Sequence, residues 1–174
     1  MKFYKVTTDK LKELKTWAQI KSPRPLRPAL SYALDWLAPE LLGTGFRMVE
    51  ISDYSVKGLV PARSTNFDFQ KEIHQGLVIN AGIELARSFL QQQMPESLFQ
   101  VISSKVVLSK KQKWNGDLSV HLHTDAAAMD DFFIAFQKRK HADVHFDMQI
   151  KIDGVKKHDT LQLTLALEKT SLIS

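Results

Sequence analysis

Between Gln75 and Leu90 the chain reads QGLVINAGIELARSFL, an almost wholly apolar run in which Gly76, Asn80, Glu84 and Ser88 recur every four residues. In a helix that interval places the four on one face, so they draw a single polar line along an apolar rod. Such a rod belongs in a protein interior, where polar groups need partners or a chemical role. A second set is His121 and His123, at i and i+2 of an alternating segment, which with His145 offers three imidazoles to a metal ion. They fall on the polar side of their strands, and no carboxylate ligand is fixed beside them. Basic groups are densest at Lys110, Lys111 and Lys113 and at Lys138, Arg139 and Lys140. Neither cluster is interleaved with aromatics, so each reads as a solvated surface or a phosphate-recognition patch rather than a single-strand nucleic-acid surface.

Several chemistries are excluded. The chain has no cysteine, which removes disulfides, thiolate metal sites and cysteine nucleophiles. It has no Gly-x-Ser-x-Gly elbow, no phosphate loop and no dinucleotide fingerprint. With 24 basic against 19 acidic residues, the positive excess is mild and spread along the chain, and it does not specify nucleic acid. No apolar run approaches the roughly 20 residues that span a bilayer, and MKFYKVTTDK lacks the apolar core of a signal peptide, so a cytoplasmic protein is expected. The length suits one domain with a modest N-terminal extension.

The elements that must position these residues follow from periodicity. Thr8 or Asp9 can cap a helix through Leu11, Leu14, Trp17, Ala18 and Ile20, after which SPRPLRP forms a stiff connector. Ala29 to Leu42 reads as a second amphipathic helix, closed by Gly43 and Gly45. From Phe46 the period switches to two. Phe46–Ser52 and Tyr54–Val60 read as paired strands, and a loop leads to the buried helix. Val101–Lys111 and Leu118–Thr124 are expected as a hairpin around Trp114-Asn115-Gly116-Asp117, because Asn-Gly is a strong turn signal. Asp125 can cap a helix over Ala126–Gln137. Val144 to Ile152 and Leu161 to Leu167 alternate apolar with polar or small residues around Asp153-Gly154, as antiparallel strands with one buried face do. Two strands, one long helix and four strands predict an α+β fold, an antiparallel sheet wrapped around a central helix.

On these residues the chain resembles the hotdog-fold superfamily, in the branch of acyl-CoA and acyl-carrier-protein thioesterases and related dehydratases. The element order is similar. His74-Gln75-Gly76 resembles the His-Gly-Gly or Pro-Gly step that opens the family's central helix, and Gly116-Asp117-Leu118 resembles its Gly-Asp-x-Leu turn. The resemblance covers about Phe46 to Glu168, which divides the chain into an N-terminal helical extension at 1–45 and a hotdog domain at 46–174.

That resemblance implies acyl-thioester hydrolysis, with no cofactor, metal, nucleic acid or membrane required. Negative charge builds on the thioester oxygen as water attacks, and the N–H groups of Gln75 and Gly76 at the helix N-terminus are suited to hold it. Glu84 is the first choice for the carboxylate, with Asn80 beside it. His74 orients substrate or caps the helix, and Asn66 lies where related enzymes keep a polar residue that holds water. From Gly76 to Glu84 the helix rises about 12 Å, too far for both to serve one carbonyl, so the family reading implies a homodimer or a dimer of dimers. The chain also departs from the family: the helix carboxylate usually falls nine residues after the histidine, where this chain has Ile83, and Glu84 is one further, a rotation of about 100°. Two alternatives therefore stay open, a non-catalytic acyl-CoA or acyl-carrier-protein binding or assembly module and a 3-hydroxyacyl thioester dehydratase.

Overall fold

The computed structural model describes residues 41, 43–94 and 98–170. The two N-terminal helices and the proline connector expected from the sequence lie outside the described residues. The alternating segments form β1 (Arg47–Ser52), β2 (Ser55–Val60), β3 (Phe99–Ser109), β4 (Leu118–His123), β5 (His141–Ile152) and β6 (His158–Lys169), and the apolar run forms α1 (Gln75–Gln93). A second helix, α2 (Ala126–Lys138), joins β4 to β5. It is capped as expected: the Asp125 carboxylate accepts from the Ala128 N–H at 2.7 Å. The strands make one antiparallel six-stranded sheet in the order β1-β2-β4-β5-β6-β3. This is the hotdog arrangement, a sheet around one long helix.

Alternation decides which face is covered. Val56, Val60, Leu118, Val120, Leu122, Val144, Phe146, Met148, Ile150, Leu161, Leu163, Leu165 and Leu167 all point inward and are buried, while the intervening residues face out. Each such large side chain contributes about 1.5–3 kcal/mol when fully removed from water. The helix lies on this apolar face, with Phe89 meeting Phe146 edge to face at 5.9 Å between centroids. Gly58 and Gly82 set the helix-to-sheet distance. A methyl group on Gly82 would stand 2.3 Å from a Leu161 methyl carbon, and one on Gly58 2.6 Å from the Phe46 ring. At the far end the Gln93 side chain donates to the Asp53 carbonyl at 2.7 Å, which ties the helix C-terminus to the β1–β2 turn.

The predicted β1–β2 and β5–β6 pairs form, the latter around Asp153-Gly154, with Gly154 at φ 76°. The predicted hairpin between β3 and β4 does not. β3 pairs with β6 at one edge of the sheet, while β4 lies between β2 and β5. The chain from Ser109 to Leu118 is therefore a crossing connection, and Asn115-Gly116 serves a loop rather than a two-residue turn. Tertiary contacts overrode the local signal. Trp114 is fully buried, its indole N–H donates to the buried Asp159 carboxylate at 2.6 Å, and the Lys111 N–H donates to the same carboxylate at 2.6 Å. Two charge-assisted hydrogen bonds and a buried indole outweigh the preference of one dipeptide.

Candidate functional site

The α1 N-terminus is built by the segment before it. Asn66 is buried, and its side-chain amide donates to the carbonyls of Thr44 at 2.8 Å and Pro61 at 2.7 Å. Its backbone carbonyl accepts from the His74 N–H at 2.9 Å, so Asn66 straps the helix entrance to the loops around β1 and β2. Phe67 and Ile73 form a β-bridge across the intervening turn, and the Ile73 N–H donates to the Trp114 carbonyl at 2.8 Å. The crossing connection thus holds the residue next to the cap.

His74 is the N-cap of α1. Its Nδ1 accepts from the Gly76 N–H at 3.1 Å, which requires that nitrogen to be unprotonated, and its carbonyl accepts from the N–H groups of Leu77 at 3.1 Å and Val78 at 3.4 Å. Of the first-turn donors, the Gln75 N–H has no hydrogen-bond partner among the described residues. A methyl group on Gly76 would meet the His74 ring at 3.1 Å, so the missing side chain makes room for the capping imidazole. His74 and Gln75 are exposed and Gly76 is half-buried.

Farther along, the polar line is present. Asn80 is half-buried, Glu84 and Ser88 are buried, and the Ser88 hydroxyl donates to the Glu84 carboxylate at 3.4 Å. Gly82, where an added Cβ would meet Leu161 and Met148, marks the side of the helix that faces the sheet. Asn80 and Glu84 are two residues either way from it, about 200° around the axis, and so lie on the side turned away from the sheet. With the cap at His74 and the first helical residue at Gln75, Glu84 stays ten positions past the histidine.

The structure brings His74, Gln75, Gly76 and Asn66 together at one helix end and keeps Asn80 and Glu84 along its body. Sequence reasoning missed the network beneath that end. Besides Trp114 and Asp159, Lys110 pairs with Glu72, a buried carboxylate, and its ammonium stands 4.9 Å from the Trp114 ring centroid. An acidic residue in a strand that otherwise alternates apolar inward was the available signal, at Asp159 within HDTLQLTL.

The histidine set lies on the opposite, outer face of the sheet. His121 and His123 stand with ring centroids 6.4 Å apart beside a groove of about 730 Å³. Burial, above all, lowers the pKa of His121 below 6.5, with Glu50 opposing and His123, Lys151 and Lys57 adding to the shift. His145 bonds Thr164 at 2.9 Å farther along β5. Among the described residues, no three histidine or acidic side chains are grouped to hold a metal ion, and no helix is long and apolar enough to cross a membrane.

No protein-family model and no curated protein matches the chain. Solved structures do. A Pseudomonas aeruginosa protein described as a probable thioesterase superposes with a TM-score of 0.68 at 13% identity, covering 82% of this chain and 95% of the other. A Haemophilus influenzae thioesterase gives 0.57 at 10% identity, over 80% and 90% of the two chains. A Staphylococcus aureus thioesterase variant gives 0.56 at 13% identity, over 74% and 97%. Identities this low speak to architecture alone. Element order, sheet topology and these superpositions together establish that the chain has the hotdog fold, in the form also taken by structures described as thioesterases.

Proposed function

We propose that the protein hydrolyses acyl thioesters carried on coenzyme A or an acyl carrier protein. The observation that carries the reading is the buried carboxylate of Glu84, next to Asn80 on the side of α1 turned away from the sheet, in a fold shared with thioesterase structures. In this mechanism the thioester oxygen is held by N–H groups at the α1 N-terminus, where the Gln75 donor is available and the Gly76 donor is released when His74 swings aside. Glu84, with Asn80, activates the attacking water. Glu84 takes a proton from the water as the water oxygen bonds to the carbonyl carbon and negative charge moves onto the carbonyl oxygen. As that charge returns, the carbon–sulfur bond breaks and the leaving sulfur takes the proton from Glu84, giving a carboxylic acid and a free thiol.

Helix end and helix middle are about 12 Å apart in one chain, so the site needs a second copy to bring Glu84 to the thioester. The edge of the sheet supplies a surface for it. β3 is eleven residues long, its outer edge has no strand partner among the described residues, and Ile102 and Val107 are exposed on it. An edge of this length and composition is suited to antiparallel pairing with its own copy.

The occupied Gly76 N–H favours a second reading, a module that binds acyl thioesters without cleaving them. One experiment separates the two. Purified protein is given acyl-CoA substrates of several chain lengths while free thiol is recorded, with Glu84→Gln and Asn80→Ala as controls. Hydrolysis requires thiol release that falls by about a hundredfold or more in Glu84→Gln. Saturable acyl-CoA binding with no thiol release from any substrate would establish the binding module instead.

A further inference from the structure

The loops around the α1 N-terminus carry an uneven arrangement of charge. Three connections meet there: the turn before α1, the crossing connection between β3 and β4, and the β5–β6 turn. Hydrogen bonds join them, from the Ile73 N–H to the Trp114 carbonyl at 2.8 Å, from the Gln112 side chain to the Lys157 carbonyl at 3.3 Å, and from the Asp153 N–H to the Asp117 carbonyl at 3.0 Å.

Four carboxylates at this end are held by hydrogen bonds or an ion pair, Glu72 and Asp159 from buried positions and Asp68 and Asp117 from more open ones, while Asp153 in the β5–β6 turn is exposed. Asp68 accepts from the N–H groups of Gln70 and Glu72 at 2.8 and 3.2 Å. Glu72 pairs with Lys110. Asp117 accepts from the Ala62 N–H at 2.7 Å, and Asp159 is buried against Trp114 and Lys111. Apart from Lys110, the ammonium groups are turned outward. Lys71, Lys111, Lys113, Lys156 and Lys157 are all exposed, and among the described residues none has an ion-pair partner. The result is a rigid base that presents lysines to solvent beside a helix N-terminus, whose own partial charge has the same sign. Flexible lysines on anchored loops are suited to phosphate groups, which they meet as point charges.

We propose that Lys111, Lys113, Lys156 and Lys157 form the recognition site for the phosphate groups of coenzyme A, with the pantetheine arm running from them toward the α1 N-terminus. The choice of ligand rests on the thioester reading; the site itself rests on the charge arrangement. The nucleotide end of the carrier is then the part of the substrate this protein recognises by charge, and the acyl and pantetheine portions are recognised by shape.

The test is binding of free coenzyme A to the full chain by titration calorimetry, with 3′-dephospho-coenzyme A and pantetheine as parallel ligands. Three double variants accompany the wild type: Lys111→Glu with Lys113→Glu, Lys156→Glu with Lys157→Glu, and Lys111→Arg with Lys113→Arg. The expected result is that coenzyme A binds more tightly than 3′-dephospho-coenzyme A, and that either glutamate pair weakens it by about tenfold or more. The arginine pair retains affinity, pantetheine binding is the same in all proteins, and added salt weakens coenzyme A alone. Unchanged melting temperatures confirm that the variants fold. Coenzyme A affinity equal in wild type and both glutamate pairs overturns the proposal. So does the absence of coenzyme A binding in a protein that cleaves acyl-pantetheine or acyl-carrier-protein. Charge-dependent coenzyme A binding without any thioester cleavage supports the phosphate site while removing the hydrolase reading.

Discussion

His74 and Gly76 are joined by a hydrogen bond in which the imidazole Nδ1 accepts from the glycine N–H at 3.1 Å. One of the two donors that the proposed mechanism assigns to the thioester oxygen is thereby held by the side chain that caps the helix. His74→Asn keeps a capping acceptor and preserves the melting temperature, whereas His74→Ala costs about 1 kcal/mol. Because His74→Ala also frees the Gly76 N–H, kcat/KM for thioester cleavage does not fall with stability. Melting curves and thiol-release rates on the same preparations check both halves, and a parallel loss of rate and stability would assign His74 a direct part in the chemistry.

Asp159 anchors the crossing connection through two hydrogen bonds of 2.6 Å, one to the Trp114 indole and one to the Lys111 backbone. Asp159→Ala leaves both donors buried without an acceptor and lowers stability by about 2–4 kcal/mol. Trp114→Phe removes one donor from a buried carboxylate and costs about 1–3 kcal/mol. Urea midpoints with unchanged slopes measure these losses. Asp159→Ala with wild-type stability would remove the network as the reason the Asn115-Gly116 hairpin does not form.

His121 gives stability a defined pH dependence. Its pKa in the folded protein is lowered below 6.5, first by burial. As pH falls, the unfolded chain takes up this proton before the folded chain does, so the contribution is fully present above about 6.5 and is lost as pH drops through the folded value. His121→Gln flattens this loss. Denaturation midpoints at about pH 7.5 and about pH 5.5 should differ less in the variant than in the wild type; equal differences would show that other groups set the slope.

The exposed edge of β3 predicts the coupling of assembly to activity. Ile102→Lys with Val107→Lys places charges on that edge, which blocks strand pairing without disturbing the buried face. Light scattering should report a dimer for the wild type and a monomer for the variant, with thiol release lost on dilution to the monomer. A fully active monomer would place Glu84 and the helix N-terminus in the service of separate tasks.

Much of the fold was legible because one face of the sheet is buried and the other wet. Leu118, Val120 and Leu122 alternate with Ser119, His121 and His123, and the same rhythm from Val144 to Ile152 and from Leu161 to Leu167 fixes strand identity and facing without knowledge of neighbours. Pairing is a different matter. Nothing local tells β3 that its partner is β6, fifty or more residues later, rather than β4 across Asn115-Gly116. That choice comes from Asp159, whose carboxylate draws Trp114 and Lys111 into the core.

The candidate site divides along the same line. By itself the sequence determined that Gly76, Asn80, Glu84 and Ser88 share a helix face and that His74-Gln75-Gly76 begins the helix, because both follow from the 3.6-residue period and from capping chemistry. Only the tertiary structure decided that Asn80 and Glu84 lie away from the sheet, that the Gly76 N–H is taken by His74, and that Asn66 serves as a strap. Those facts depend on which groups meet across long stretches of chain. Periodicity gives each residue a direction, and packing and hydrogen bonding give it a neighbour.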